Sequence, residues 1–305
     1  MKIGWNGTGV VGKASIEVVR SDAQTAKAAG YTSYWLADHP TGGFDALTAL
    51  AVAGAQVPDI EFGTAVIPIM PRNPMALAAQ ALTVNQALGG RFTLGIGLSH
   101  ATMMADLGLP FDKPIRYLRE YLSILMPLLN EGKVDFTGEL LSGKGQLFQQ
   151  PPQTCDVVVA ALGPQALRVA GRLARGTILA WVGPNTIRDH IVPTISEAAA
   201  EHGREAPRVI ATLPVCVTTD EAPVRQMIDQ SLGMYAQLPS YQAMFAREGV
   251  AGPGEMALVG SASFLEEQVE RLRTAGVTDF TPTVFAPSAA QREATHEFLG
   301  RLLAR

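Results

Sequence analysis

At 305 residues, with 47% hydrophobic and only 17% charged side chains, the chain can build a large packed core, which excludes a disordered or low-complexity protein. Its net charge of −4, with no run of five basic residues, excludes nucleic acid or an anionic membrane as the main partner. No stretch of about 18 apolar residues is present to span a bilayer. The N-terminus enters a strand without an apolar leader segment, so no secretory signal is expected. Cys155 and Cys216 read as buried free thiols of a reducing cytoplasm, and no ligand spacing points to a metal.

In chain order, apolar β-branched runs near residues 2–5, 33–37, 61–67, 92–96, 156–161, 177–181, 208–217 and 279–284 read as strands. Most are too uniformly apolar to have one wet face, which suits a parallel sheet covered on both sides. Helical patterns fill the intervals at 15–29, 44–56, 74–88, 113–130, 164–174, 185–202, 221–238, 262–275 and 288–303. The third of these opens on Pro74 and stops before Gly89-Gly90, the expected start and stop signals. Longer intervals separate strands four and five, which enclose VDFTGELLSGKGQLF, and strands seven and eight, which enclose Met234 to Gly260. Eight strand–helix units without a dividing linker predict an α/β fold, a (β/α)8 TIM barrel with insertions after strands 4 and 7, as one domain over residues 1–305.

Residues 7–12 read G-T-G-V-V-G, the pattern of a dinucleotide-binding turn. That turn needs an acid about 20 residues further on. Asp38 lies 26 residues after Gly12, and the following helix starts late, near Ser15. The glycines therefore read better as a flexible loop over the barrel mouth, able to act as a lid.

The chemistry is expected at the C-terminal ends of the strands, where barrel active sites lie. Asp38-His39 ends strand two, and His is the side chain that exchanges a proton near neutral pH. The alternative is a capping Asp beside a satisfied loop His. Gly63 to Val66 ends strand three with small residues, suited to a backbone pressed against a ligand or simply to a buried strand end. Gly95 to His100 closes strand four. Ala161-Leu162-Gly163-Pro164 leads into a helix with Pro at its first position, leaving N–H groups free for an anion. Arg168, Arg172 and Arg175 follow, either as helpers or as a solvated face. Trp5 and Trp181 end strands one and six, as pocket wall or as core.

Four stretches, in this order, resemble the bacterial luciferase-like superfamily and in particular its deazaflavin-dependent oxidoreductases. They are YTSYWLADH, FGTAVIPIMPRNPMALAAQALTVNQALGGRFTLGIG, PIRYLREYLSILMPLLNEGKVDFTGE and ALGPQALRVAGRLARGTILAWVGP, and the likeness covers roughly residues 1–215. The resemblance implies coenzyme F420, an 8-hydroxy-5-deazaflavin, as cofactor, with FMN as the alternative. It implies hydride transfer between the cofactor C5 and a small organic substrate. His39 and Asp38 become the catalytic pair, His39 handling a proton and Asp38 holding the ring edge or orienting a loop. Cofactor contacts would come from Asp38, from Thr64, Ala65 and Val66 with a cis peptide between the last two, from Gly97, Leu98 and Ser99, from Ala161, Leu162, Gly163 and Pro164, and from Trp181. Trp5, His100 and Met103 would line a substrate pocket whose apolar character suits an uncharged molecule. The resemblance also implies a homodimer formed through helices near strands two and three.

Two positions depart from the resemblance. The loop after strand four reads SHATMMADLG, with His100 and Asp106 but no Glu, which argues against oxidation of a sugar phosphate. Ala174-Arg175-Gly176 stands where relatives often read A-D-G, a matter of surface charge. The rival readings are an FMN-dependent monooxygenase of the same superfamily, a nicotinamide dehydrogenase using residues 7–12, and a non-catalytic cofactor-binding protein on the same barrel.

Overall fold

The computed structural model describes residues 1–13, 15–39, 42–148 and 153–304. Among these residues eight parallel strands, the first and third each in two pieces (the second piece of the third being Ile67–Pro68), form one sheet whose two ends are the two halves of the first strand. Lys2–Ile3 pairs with the eighth strand, Asp279–Phe280, while Trp5–Asn6 pairs with the second, Ser33–Leu36. Between them run the third strand, Glu61–Thr64, the fourth, Phe92–Gly97, the fifth, Asp156–Val159, the sixth, Gly176–Ala180, and the seventh, Arg208–Thr212. The sheet thereby closes on itself as a barrel. Among the described residues no helix is long and apolar enough to cross a membrane.

The period-2 geometry of a strand sends alternate side chains to the two faces of the sheet. In the second strand Trp35 joins Val158, Ile178 and Ile210 inside the barrel, whereas Tyr34 and Leu36 join the larger core beneath the helices. Gly63 is required by this interior, because a Cβ there would lie 2.2 Å from the Trp35 ring. The N-terminal end of the barrel is closed by charge. Arg208 binds Glu61 at 2.6 and 2.9 Å and Asp279 at 2.7 and 3.0 Å, with its guanidinium over the Trp35 ring. The C-terminal ends of the strands, with the loops that follow them, lie at the opposite end of the barrel.

Helices follow the strands with the expected signals. Ser15 caps Ile16–Ala28, Asp45 caps Ala46–Gly54 and Asn73 caps Pro74–Ala87, each through its side-chain oxygen. Three features differ from the sequence expectation. Residues Gly7–Lys13 form a 3-10 helix with Val11 buried, and the Thr8 hydroxyl accepts the Ala37 N–H, so this segment is packed down rather than a free loop. The run 208–217 is two strands: after Thr212 the chain leaves the barrel, and Pro214–Val217 pairs with Leu258–Gly260 and Thr283–Val284 in a separate three-stranded sheet. The helical stretch after strand six widens into a π-turn at Ile187–Ile191, ahead of Pro193, which cannot donate its backbone hydrogen bond. The two insertions hold the helices expected near 113–130 and 221–238 together with further elements. The first holds the helices Ala101–Asp106 and Pro114–Glu131 and the hairpin Lys133–Thr137/Ser142–Gln146. The second holds Glu221–Ala236, Pro239–Glu248 and Pro253–Met256.

Candidate active site

The segment after strand two is held by its acid. Asp38 is buried; one carboxylate oxygen accepts the Ala46 N–H at 3.1 Å and the other accepts Arg72 at 3.1 Å. The same Arg72 nitrogen donates to Asp45 at 2.6 Å, and its partner nitrogen donates to Gln80. Burial works against the charge on Asp45, but hydrogen bonds from Arg72 and Thr48 outweigh it and keep the carboxyl below the usual carboxylate range. Asp38 thus orients the loop, and both of its oxygens already have partners. His39 follows it, partly buried at the mouth, its carbonyl accepting the Gly42 N–H.

The floor of the mouth is apolar and small. Ala65, Val66 and Ala160 are partly exposed and pack on the inner barrel core, and the Ala65–Val66 peptide is cis. Gly97 lets them close up, since a Cβ there would lie 2.7 Å from Val66 and 3.2 Å from Ala160. Thr64 departs from the expectation of a cofactor contact. It is fully buried, and its hydroxyl donates to the Gly95 carbonyl and accepts the Gly95 N–H, both at 2.8 Å, stitching strands three and four. Ala161 is likewise fully buried in the core.

Two Gly-Pro pairs begin helices at this end, after strands five and six. At the second, the N–H groups of Asn185 and Thr186 and the Thr186 hydroxyl all donate to the Glu248 carboxylate, at 3.1, 2.7 and 2.8 Å. The chain's own insertion therefore occupies that anion position. At the first, Gly163 caps Pro164–Leu173 with no side-chain hydrogen bond, and Gly163 and Pro164 are exposed. The first turn leaves the Gln165 and Ala166 N–H groups without helical acceptors. The loop is pinned by His190, a buried residue that sequence reasoning missed. Its Nε2 lies 2.8 Å from the Leu162 carbonyl, and because a carbonyl only accepts, Nε2 carries the proton. Leu98 and Ser99 lie opposite in the loop after strand four. Ser99 has a left-handed backbone, and its hydroxyl faces the Met103 sulfur at 3.6 Å.

The second insertion brings two tyrosines over the mouth. The Tyr235 ring lies 5.8 Å from Trp181, 6.2 Å from His100 and 5.6 Å from Tyr241, and Tyr241 lies 5.9 Å from His100. Burial lowers the pKa of His100 and raises that of both phenols, so all three are neutral near pH 7. Both tyrosines lie within Met234 to Gly260, the second long interval of the sequence, which also holds Phe245.

Trp5 does not line this pocket. Its indole N–H donates to Asp22 at 3.0 Å and its ring packs on Tyr31 and His296, which places it in the outer layer between the first and last helices. Arg175 is also elsewhere, bound to the Ala206 carbonyl and Glu205. No group of three or more metal-type side chains occurs among the described residues.

Comparison with known proteins agrees with this architecture. Residues 3–286 match the model of the luciferase-like monooxygenase family. The chain is 29% identical to an F420-dependent glucose-6-phosphate dehydrogenase of Beutenbergia cavernae, over 92% of this chain and 91% of that protein. Among solved structures it superposes on the coenzyme F420-dependent tetrahydromethanopterin reductase of Methanopyrus kandleri with a TM-score of 0.81 at 20% identity, covering 98% of this chain and 97% of the other. It superposes on an F420-dependent secondary alcohol dehydrogenase with a TM-score of 0.78 at 18% identity, covering 100% and 99%. These two likenesses concern the fold.

Proposed function

The chain belongs to the luciferase-like monooxygenase family, and we propose that it is a coenzyme F420-dependent oxidoreductase moving a hydride between the cofactor C5 and a small organic substrate at the C-terminal mouth of the barrel. One observation carries the reading. A floor of small apolar side chains at Ala65, Val66 and Ala160 shares the mouth with an uncapped helix start at Gly163–Pro164. A flat heterocycle bearing an anionic tail fits that pair: the ring face takes the floor, and the phosphodiester takes the free N–H groups. The corresponding helix start at Gly183–Pro184 is taken by Glu248, whereas the one at Gly163–Pro164 has no side-chain cap.

Bound there, the deazaflavin supplies two-electron hydride exchange at its C5. The protein supplies placement and a proton. Asp38 and Arg72 fix the segment that carries His39, and His39 exchanges the proton that accompanies hydride transfer at the substrate heteroatom. His190 holds the Leu162 loop in the form that keeps its helix start open. His100, Tyr235, Tyr241 and Trp181 wall the substrate side with neutral aromatic groups, which favours an uncharged substrate over a sugar phosphate. We read the protein as a cytoplasmic homodimer that does not act on nucleic acid.

Fluorescence titration with coenzyme F420, FMN and NADPH tests the reading. Saturable micromolar binding of F420, with the other two much weaker, is the expected result. Preferential binding of FMN would replace the proposal with a monooxygenase, and binding of NADPH alone would return the glycines at 7–12 to the role of a nucleotide turn.

A further inference from the structure

Outside the mouth, between the N-terminal half of the helix Pro114–Glu131 and the length of the helix Pro164–Leu173, runs a groove of about 300 Å3. Ile115 and Val169 form its apolar base, and Arg116, Arg119, Arg168 and Arg172 line it with no carboxylate among the lining residues. This is a concentrated positive patch on a chain whose net charge is −4. Arg116 pairs with Glu139, and Arg172 reaches Glu201 only at 3.8 Å. Arg119 and Arg168 form no ion pair among the described residues. The spacing makes the patch unfavourable when empty. Arg116 and Arg119 stand i, i+3 on one helix, and Arg168 and Arg172 stand i, i+4 on the other, so two like-charge pairs face each other. The acid that could relieve the first pair, Glu120, is buried and turned away to accept the N–H groups of Glu139, Leu140 and Leu141.

A bound polyanion converts this repulsion into attraction, and the groove shows where one would come from. Gln165, on its wall, is also the first free N–H donor of the open helix start at Gly163–Pro164. We infer that the groove is the docking site of a polycarboxylate tail that leaves the mouth past this helix start, namely the γ-glutamyl chain that coenzyme F420 carries beyond its phosphodiester. The inference rests on the proposed cofactor and adds four residues to its site.

The test compares coenzyme F420 bearing several glutamates with the form bearing none. Kd is measured from cofactor fluorescence at 50 and 300 mM NaCl, for the intact protein, for Arg119→Gln/Arg168→Gln and for Arg119→Lys/Arg168→Lys. The expected result is about tenfold tighter binding of the tailed form to the intact protein at low salt, the size that two partly exposed charge pairs support. That preference shrinks at high salt, disappears in the Gln variant and returns in part in the Lys variant. Inorganic phosphate should compete with the tail-less form, which shares the helix start, without abolishing the tail preference. Equal affinity for both forms, or a preference that survives the Gln substitutions, overturns the groove assignment while leaving the cofactor reading in place. Failure of both forms to bind overturns the cofactor reading and the groove with it.

Discussion

His39 owes its place to its neighbours more than to any bond of its own. Asp38 is a buried carboxylate whose two oxygens are taken by the Ala46 N–H and by Arg72, and Arg72 is shared with Asp45 at the cap of the next helix. Removing the arginine leaves Asp38 charged, buried and half-satisfied, the costly case for an ion pair. Arg72→Gln should therefore lower the unfolding free energy by about 3 kcal/mol in urea titration, whereas Asp38→Asn, which keeps an acceptor for Ala46 and needs no counter-charge, should cost less. His39→Gln belongs to a different class. It disturbs none of these bonds, so stability and the Kd for the cofactor should hold while kcat falls by about 10²–10⁴. An unchanged kcat would remove His39 from the chemistry, and loss of cofactor binding together with kcat would make it a structural residue. A carrier protein would have no turnover to lose.

At the scale of elements, strands and helices were legible wherever pattern and punctuation agreed. Pro74, Gly89-Gly90 and Pro164 mark the helix ends where the structure has them, and the apolar runs are strands because both of their faces are covered. What escaped was partner choice. Residues 208–217 look alike on both sides of Leu213, since the barrel and the small sheet bury them equally, and nothing local records that Val215 pairs with Leu258. Trp5 failed for a related reason: the strand's alternation was visible, but its phase relative to the barrel was not. The long-range contact of Glu248 with Thr186 was equally invisible, yet it anchors the helix Pro239–Glu248 over the mouth. That anchor is testable. Glu248→Gln keeps the shape but loses the charge at a helix start, a loss of about 1–2 kcal/mol. Because the contact is made by an insertion, the effect should be local: faster proteolysis and amide exchange across residues 234–252 and a raised substrate KM, with a small change in Tm. A uniform rise in exchange across the barrel strands would show instead that the insertion is integral to the global fold.

For the whole molecule, the distribution of neutral buried groups sets the pH range in which the barrel is stable. On the acid side, burial lowers the pKa of His100, and burial with Arg292 nearby lowers that of His296 despite Asp22. Both lie below the unfolded value of about 6.5, so the unfolded chain binds more protons. Their contribution is complete above that value and is lost as pH falls through the folded pKa values. On the alkaline side, burial raises the phenols of Tyr31, Tyr34, Tyr121 and Tyr241, and pushes the Cys155 thiol from 9.0 up to about 12. The thiol's contribution is complete below pH 9.0 and is lost between there and about 12, and the phenols follow from about 10 upward. Tm should therefore be flat from about pH 7 to 9 and fall on both sides. The two limbs have separate owners. His100→Gln/His296→Gln should flatten the fall between pH 7 and 5 without altering the alkaline limb, and Cys155→Ala combined with replacement of Cys216, whose thiol burial also raises, should do the reverse at pH 9 to 10. The two histidines also sit on opposite layers, His100 among the mouth aromatics and His296 against Trp5 in the outer shell. Loss of substrate affinity in step with the acid fall in Tm would trace that limb to His100, whereas a fall in Tm with affinity intact would trace it to His296.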